Sequence, residues 1–120
     1  DRVPRRLRDA IALEHPDVVI TFNPDHGSTG HEAHRTIGAL VRETGFAAIW
    51  TIETRAAVAG DAITLWNGAP ERASVLHANE LWDALVRTVE MHESQFTPGQ
   101  RDTLRTLPHE QRCVWWSAAP

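Results

Sequence analysis

The chain has 120 residues, 42% of them hydrophobic and 23% charged, with a formal charge of −4 at pH 7. That suffices for one domain around one modest core, and the slightly acidic balance leaves no footprint for nucleic acid or an anionic membrane surface. The longest apolar runs, four or five residues, exclude a membrane span and a signal-peptide core, and the single cysteine, Cys113, excludes an internal disulfide and a cysteine-rich zinc site.

The chain opens Asp1-Arg2-Val3, without a methionine and already in charged, helix-like sequence, so it reads as a piece of something longer. Compartment stays open. Residues 4–14 suit a helix: Leu7, Ala10 and Ile11 fall on one face, the basic cluster "RVPRRLR" is its solvated side, and Pro16 enforces a stop. "DVVITF" at 17–22 is a continuous β-branched apolar run, the pattern of a strand buried on both faces in a parallel sheet. Residues 23–29, rich in Pro, Asp, Gly and Ser, are loop. A helix follows to about Thr44, with Gly45 placed as its C′ residue.

"AAIWTIET" at 47–54 predicts another strand, and the turn signals Gly60-Asp61 and Asn67-Gly68 predict short strands or a hairpin. "ASVLHA" at 73–78 reads as one more strand. A helix from Asn79 to about Ser94 would carry Leu81, Leu85, Val89 and His92 on one stripe. After Gln95 the chain is rich in Pro and Arg and ends around Trp115-Trp116, expected as a tail packed on the domain. Strand-helix-strand order argues for one α/β layered domain with a mostly parallel sheet, whose ligands bind beyond the carboxyl ends of the strands. The loop before His31 is at that edge.

"NPDHGSTGHEAHRTIG" at 23–38 places three histidines, His26, His31 and His34, within nine residues. Thr29 followed by Glu32 fits a capping box, which makes Gly30 and His31 the first helical residues. His31 and His34 then lie about 60° apart on one face of the first turn, where the helix dipole favours neutral imidazole. Neutral imidazole is what a metal binds. On spacing alone, a polar junction without metal is the simpler account of the pair. His31-Glu32 does not open a His-Glu-x-x-His site, which needs its second histidine at i+4, and capping explains Glu32. His15-Pro16-Asp17 precedes the strand and belongs to the opposite sheet edge, so it reads as a helix stop.

"PDVVITFNPDHGSTGHEAHRTIG", together with "MHESQF" at 91–96, resembles the second half of the zinc-dependent de-N-acetylases of the PIG-L/LmbE family. The likeness covers residues 4–46 well, the helix around 79–96 moderately and the rest hardly at all. It implies a Rossmann-like fold, a Zn2+ cofactor, and hydrolysis of an N-acetyl group from an N-acetylglucosamine-type sugar or glycoconjugate. By position it implies that His34 is a zinc ligand and His31 the catalytic histidine that steadies the tetrahedral intermediate or protonates the leaving amine. The family's first motif, Ala-His-Pro-Asp-Asp-Glu, supplies two further ligands and the general base; it lies upstream in the family and is absent here. Many members also carry an acidic or amide residue where this chain has Ala33.

Three other residues are possible linings of such a site. His26 is expected as an exposed loop residue, with substrate contact as the alternative, and Asp25 as an Asx-turn residue rather than a catalyst. His92 is open between a core histidine and a site-lining one. Trp50 and Trp66 are core packing or platforms for a sugar. A small N-acetylated sugar is thus the expected partner, with no nucleic acid and no membrane span. The competing function is an inactive carbohydrate-binding or interaction module on the same scaffold. An esterase of the Gly-x-Ser-x-Gly kind has no support, because that elbow is missing.

Overall fold

A computed structural model describes residues 2–68, 71, 73–77 and 81–119. Helix α1 (Arg2–Glu14) half-buries Leu7 and Ile11, and His15 closes it in a left-handed conformation (φ 48°) just before Pro16. Strand β1 (Val19–Phe22) leads through the 23–31 loop into α2 (Glu32–Glu43), which ends at a left-handed Gly45 (φ 72°) and leads to β2 (Ile49–Ile52). Strands β1 and β2 pair in parallel with Ile20 opposite Trp50, so these elements form a strand-helix-strand unit. Helix α2 lies on that pair closely enough that a Cβ at Gly38 would come within 2.3 Å of the Phe22 carbonyl oxygen.

Strands β3 (Thr54–Ala59) and β4 (Ala62–Asn67) form an antiparallel hairpin turning at Gly60-Asp61, as the turn signal predicts. Its Ile63 and Leu65 face a separate core, made with Trp82 and Val86 of α3 (Trp82–Met91), Leu104 of α4 (Pro98–Thr106) and Leu107. The Trp82 indole donates to the Leu104 carbonyl at 2.9 Å, which ties α3 to α4. The stripe expected on α3 is displaced by one residue: Leu81 and Leu85 are exposed, and Trp82, Val86 and Val89 take the inward face. The wide Trp82 side chain, 4% exposed, buries more apolar area than a leucine and sets that rotation. The start of the expected helix, at Asn79, and the end of the expected strand at residue 78 lie outside the described residues.

The C-terminal segment differs most from expectation. It is not a tail. Thr97 caps α4 with a full capping box: its hydroxyl accepts from the Gln100 amide, and the Gln100 side chain accepts from the Thr97 amide. Cys113–Ala118 then forms β6, inserted between β2 and β5 (Ala73–His77) in a sheet ordered β1-β2-β6-β5. Both of its pairings are antiparallel. The sheet is therefore mixed, and the mostly parallel arrangement expected from "DVVITF" narrows to the β1–β2 pair. The run is apolar on both sides, yet β1 is an edge strand with Ile20 56% exposed. Its outer face continues through Val18, Trp50, Trp116 and Val75 as an apolar surface that no described element covers. Among the described residues, no helix is long and apolar enough to cross a membrane.

Candidate functional site

The residues expected to line a site at the end of β1 lie where the 23–31 loop meets α2. The loop doubles back through Gly27 (φ 61°), Ser28 (φ 60°) and Gly30 (φ 74°), all left-handed. A helix cannot begin through a left-handed residue, so Gly30 is outside α2 and the expected Thr29 capping box does not form. His31 is the N-cap instead: its backbone is extended, and its Nδ1 accepts from the Ala33 amide at 3.2 Å. The helix still starts within two residues of Gly30. Glu32 is its first residue and exposed.

The two histidines are left in opposite tautomers. The Nδ1 of His34 lies 3.1 Å from the Gly27 carbonyl oxygen and 3.0 Å from the Thr29 hydroxyl. A carbonyl oxygen only accepts, so Nδ1 carries the hydrogen and the Nε2 lone pair is free. In His31 the capping bond occupies the Nδ1 lone pair, so the neutral ring carries its hydrogen on Nε2. One ring presents a lone pair and the other a donor. Their centroids are 5.2 Å apart. The half-buried His34 ring also stacks on Phe22, centroids 4.0 Å apart and planes 3° from parallel, which fixes its orientation. Gly27 completes this packing, because a Cβ there would meet Arg35 Cγ at 2.9 Å and His34 Cβ at 3.1 Å.

Behind the loop is a residue that sequence reasoning missed. Thr21, Thr51 and Ser117 are buried in register across β1, β2 and β6, and Glu53, 7% exposed, stands at the end of the Thr51 side. Its Oε1 accepts from the Ser117 hydroxyl at 2.6 Å, the Thr51 hydroxyl at 3.0 Å and the Asn23 amide at 3.2 Å. Burial works against its charge, but the hydrogen bonds from Ser117, Thr51 and Asn23, with the His26 ring close by, outweigh it and hold the carboxyl below the usual glutamate range. Glu53 is an ionised anchor for the start of the loop.

His26 belongs to this anchor and is not the exposed loop residue expected. Its side chain is 10% exposed, Nδ1 accepts from the Ser28 amide at 3.0 Å, and Nε2 faces Glu53 Oε2 at 3.6 Å. Burial and the Arg55 guanidinium lower its pKa below the ordinary value, against the pull of Glu53 and Asp25. A neutral ring with its Nδ1 lone pair already engaged has no free basic nitrogen to offer a substrate. Asp25 is exposed, and the Asx turn runs through Asn23, whose Oδ1 accepts from the Asp25 amide at 2.8 Å. His92 is exposed at the C-cap of α3 and is not a core histidine; among the described residues, no hydrogen bond, ion pair or ring contact joins its side chain to the loop. Trp50 lies on the uncovered sheet face, and Trp66, 43% exposed, lines a cleft beside the loop.

His34 fits a metal ligand: it is oriented by its stack, tautomerically set by its second nitrogen, and free at Nε2. Among the described residues, however, no group of three His, Cys, Asp or Glu side chains is placed to hold a metal ion. Comparison with protein-family models, with curated proteins and with solved structures found no match to this chain.

Proposed function

We propose that the chain is the C-terminal part of a zinc-dependent amide hydrolase of the PIG-L/LmbE kind, acting on the N-acetyl group of an N-acetylglucosamine-type sugar. The observation that carries this reading is the pair of opposed tautomers in His31 and His34. A zinc ligand needs a free imidazole lone pair, and its other nitrogen usually donates to a carbonyl or carboxylate. His34 meets both conditions. A group that stabilises a developing oxyanion needs an N–H within reach, and the His31 Nε2–H meets that one.

Zinc, when bound, supplies a water acidified to a pKa of about 7 and polarises the amide carbonyl. On this reading, His34 contributes one ligand through Nε2. His31 directs its Nε2–H towards the carbonyl oxygen as negative charge builds there, a hydrogen bond that leaves the proton on the ring. The described residues do not by themselves fit a complete site, since zinc takes three or four protein ligands. The other ligands and the general base belong, on this proposal, to an upstream segment that also completes a Rossmann-like layering. The exposed β1 edge and the apolar outer sheet face are consistent with such a neighbour.

The test compares His34→Ala with His31→Ala in a chain extended upstream to include the Ala-His-Pro-Asp-Asp-Glu motif. His34→Ala should lose bound zinc after dialysis and all deacetylation. His31→Ala should keep its zinc while turnover falls roughly 100-fold or more, the scale of a lost oxyanion donor. The 120-residue chain alone should bind zinc weakly and turn nothing over. Unchanged metal content in both variants would leave the non-catalytic carbohydrate-binding module as the better account.

A further inference from the structure

Beside the histidine pair, the loop and the β3–β4 hairpin enclose a cleft of about 400 Å³. The Ser28 carbonyl accepts from the Ala56 amide at 2.6 Å, so its two walls are bonded together. Arg55 and Trp66 are direct cross-strand neighbours and share one face of the hairpin, while Ile63 and Leu65 of the other face pack into the α3–α4 core. Arg35, one residue beyond His34, enters from α2.

The polar groups here are short of partners. Arg55 Nε and Ser28 Oγ are buried without a hydrogen bond. Beside them the His26 side chain, nine-tenths buried, also leaves its Nε2 without a hydrogen bond, 3.6 Å from Glu53. Buried donors of this kind are nearly always satisfied in folded proteins, by protein, water or ligand. Among the described residues, neither Arg35 nor Arg55 forms an ion pair; Arg35 has only a 3.4 Å bond from Nε to the Pro24 carbonyl. The cleft's one carboxylate, Asp25, is exposed at its edge, and Glu53 is engaged by its own hydroxyl and amide donors. Among the residues that line the cleft, two guanidinium groups face one rim carboxylate, in a chain whose overall charge is −4.

We propose that this cleft binds a small molecule bearing an oxyanion, a phosphate or a carboxylate. Arg35 and Arg55 grip the anionic group in the forked geometry guanidinium offers. The Ser28 hydroxyl adds a hydrogen bond, and the exposed Trp66 ring covers the apolar side of the ligand body, the common arrangement for a sugar ring on an indole. The proposal does not depend on the zinc reading, because none of these residues is a metal ligand in it.

The test is calorimetric titration of the full 120-residue chain in the presence of a chelator, so that metal plays no part. The probes are glucose 6-phosphate, glucuronate and glucose. At least one of the two anionic sugars should bind, glucose much more weakly, and the tighter anion identifies the native group. Arg55→Gln and Arg35→Gln should each weaken that binding roughly tenfold or more, the scale of a lost charge-assisted hydrogen bond. Arg35 is exposed, so its variant folds even if Arg55→Gln proves unstable. Equal affinity for glucose, no binding of either anion, or full affinity in a folded Arg35→Gln variant would each overturn the proposal.

Discussion

Replacing Glu53 by glutamine preserves size but sets an NH2 group among donors that need acceptors. The hydroxyls of Ser117 and Thr51 and the amide of Asn23 all point at this carboxylate. Unsatisfied buried groups cost about 1–3 kcal/mol each, so Glu53→Gln should lower unfolding stability by that order at neutral pH, measured by urea titration. Ser117→Ala, which removes only one donor, should cost less. The pH dependence has a definite sign. Because the folded pKa of Glu53 is depressed, its contribution is present above its ordinary value of 4.5 and is lost as pH falls through the folded value. His26 is depressed as well, under Arg55 and burial and against Glu53 and Asp25, so the folded state resists a proton that the unfolded chain takes up from pH 6.5 downward. Both groups make the fold acid-labile: stability should begin to fall below about pH 6.5 and drop further below about 4.5. A melting temperature that is flat between pH 7 and 4 would refute this assignment. Neither role was legible in the sequence, which marked His26 only as a loop histidine. Nothing in "WTIET" marks Glu53, because its partners come from positions 30 residues before and 64 after it.

At the scale of the element, the chain from β1 to α2 was legible because its signals are local. β-Branched residues, a Gly-rich loop and a helical stripe ending in Gly45 all lie within 30 residues. The cap was misread because Thr29 and His31 compete for it, and the left-handed Gly30 decides for His31. Helix α4 was missed although Thr97-Pro98-Gly99-Gln100 carries its full start signal, a capping threonine, a proline in the first turn and a glutamine at the third position. The Pro- and Arg-rich composition around it argued for a tail and outweighed the local pattern. Gly38 offers a test of how α2 sits on β1. A methyl group there would meet the Phe22 carbonyl at 2.3 Å, and backbone cannot swing away as a long side chain can. Gly38→Ala gains helix propensity, so an isolated helix would welcome it. In the folded chain it should instead cost about 1–3 kcal/mol through overpacking, seen as a lower melting temperature. A neutral or stabilising effect would mean that α2 does not approach β1 this closely.

Across the whole molecule, the fold has two packed regions: the strand-helix-strand unit with its mixed sheet, and the hairpin with α3 and α4. Strand β6 joins them. It bonds to β2 on one side and β5 on the other, supplies Ser117 to Glu53, and its Trp115 amide donates to the Thr54 hydroxyl oxygen at 2.9 Å. Removing residues 113–120 should therefore abolish cooperative unfolding, whereas trimming a true tail would leave it intact; circular dichroism during thermal unfolding distinguishes the two. Which strand lies beside which could not be read from periodicity, since each strand's pattern reports its own faces and says nothing of its neighbours.

The position of β6 also governs timing during synthesis. Thr51 and Ser117, bonded across the middle of the sheet, are 66 residues apart in the chain. Contacts that close so long a loop form late and slow the folding of the structures they dominate. On the ribosome, β1 and β2 emerge early with an apolar face, yet β2 has no partner on its inner side until residues 113–118 follow. During that interval the strand-helix-strand unit presents an unpaired strand edge beside exposed Trp50 and Ile20, the kind of surface that chaperones hold and that drives aggregation when they do not.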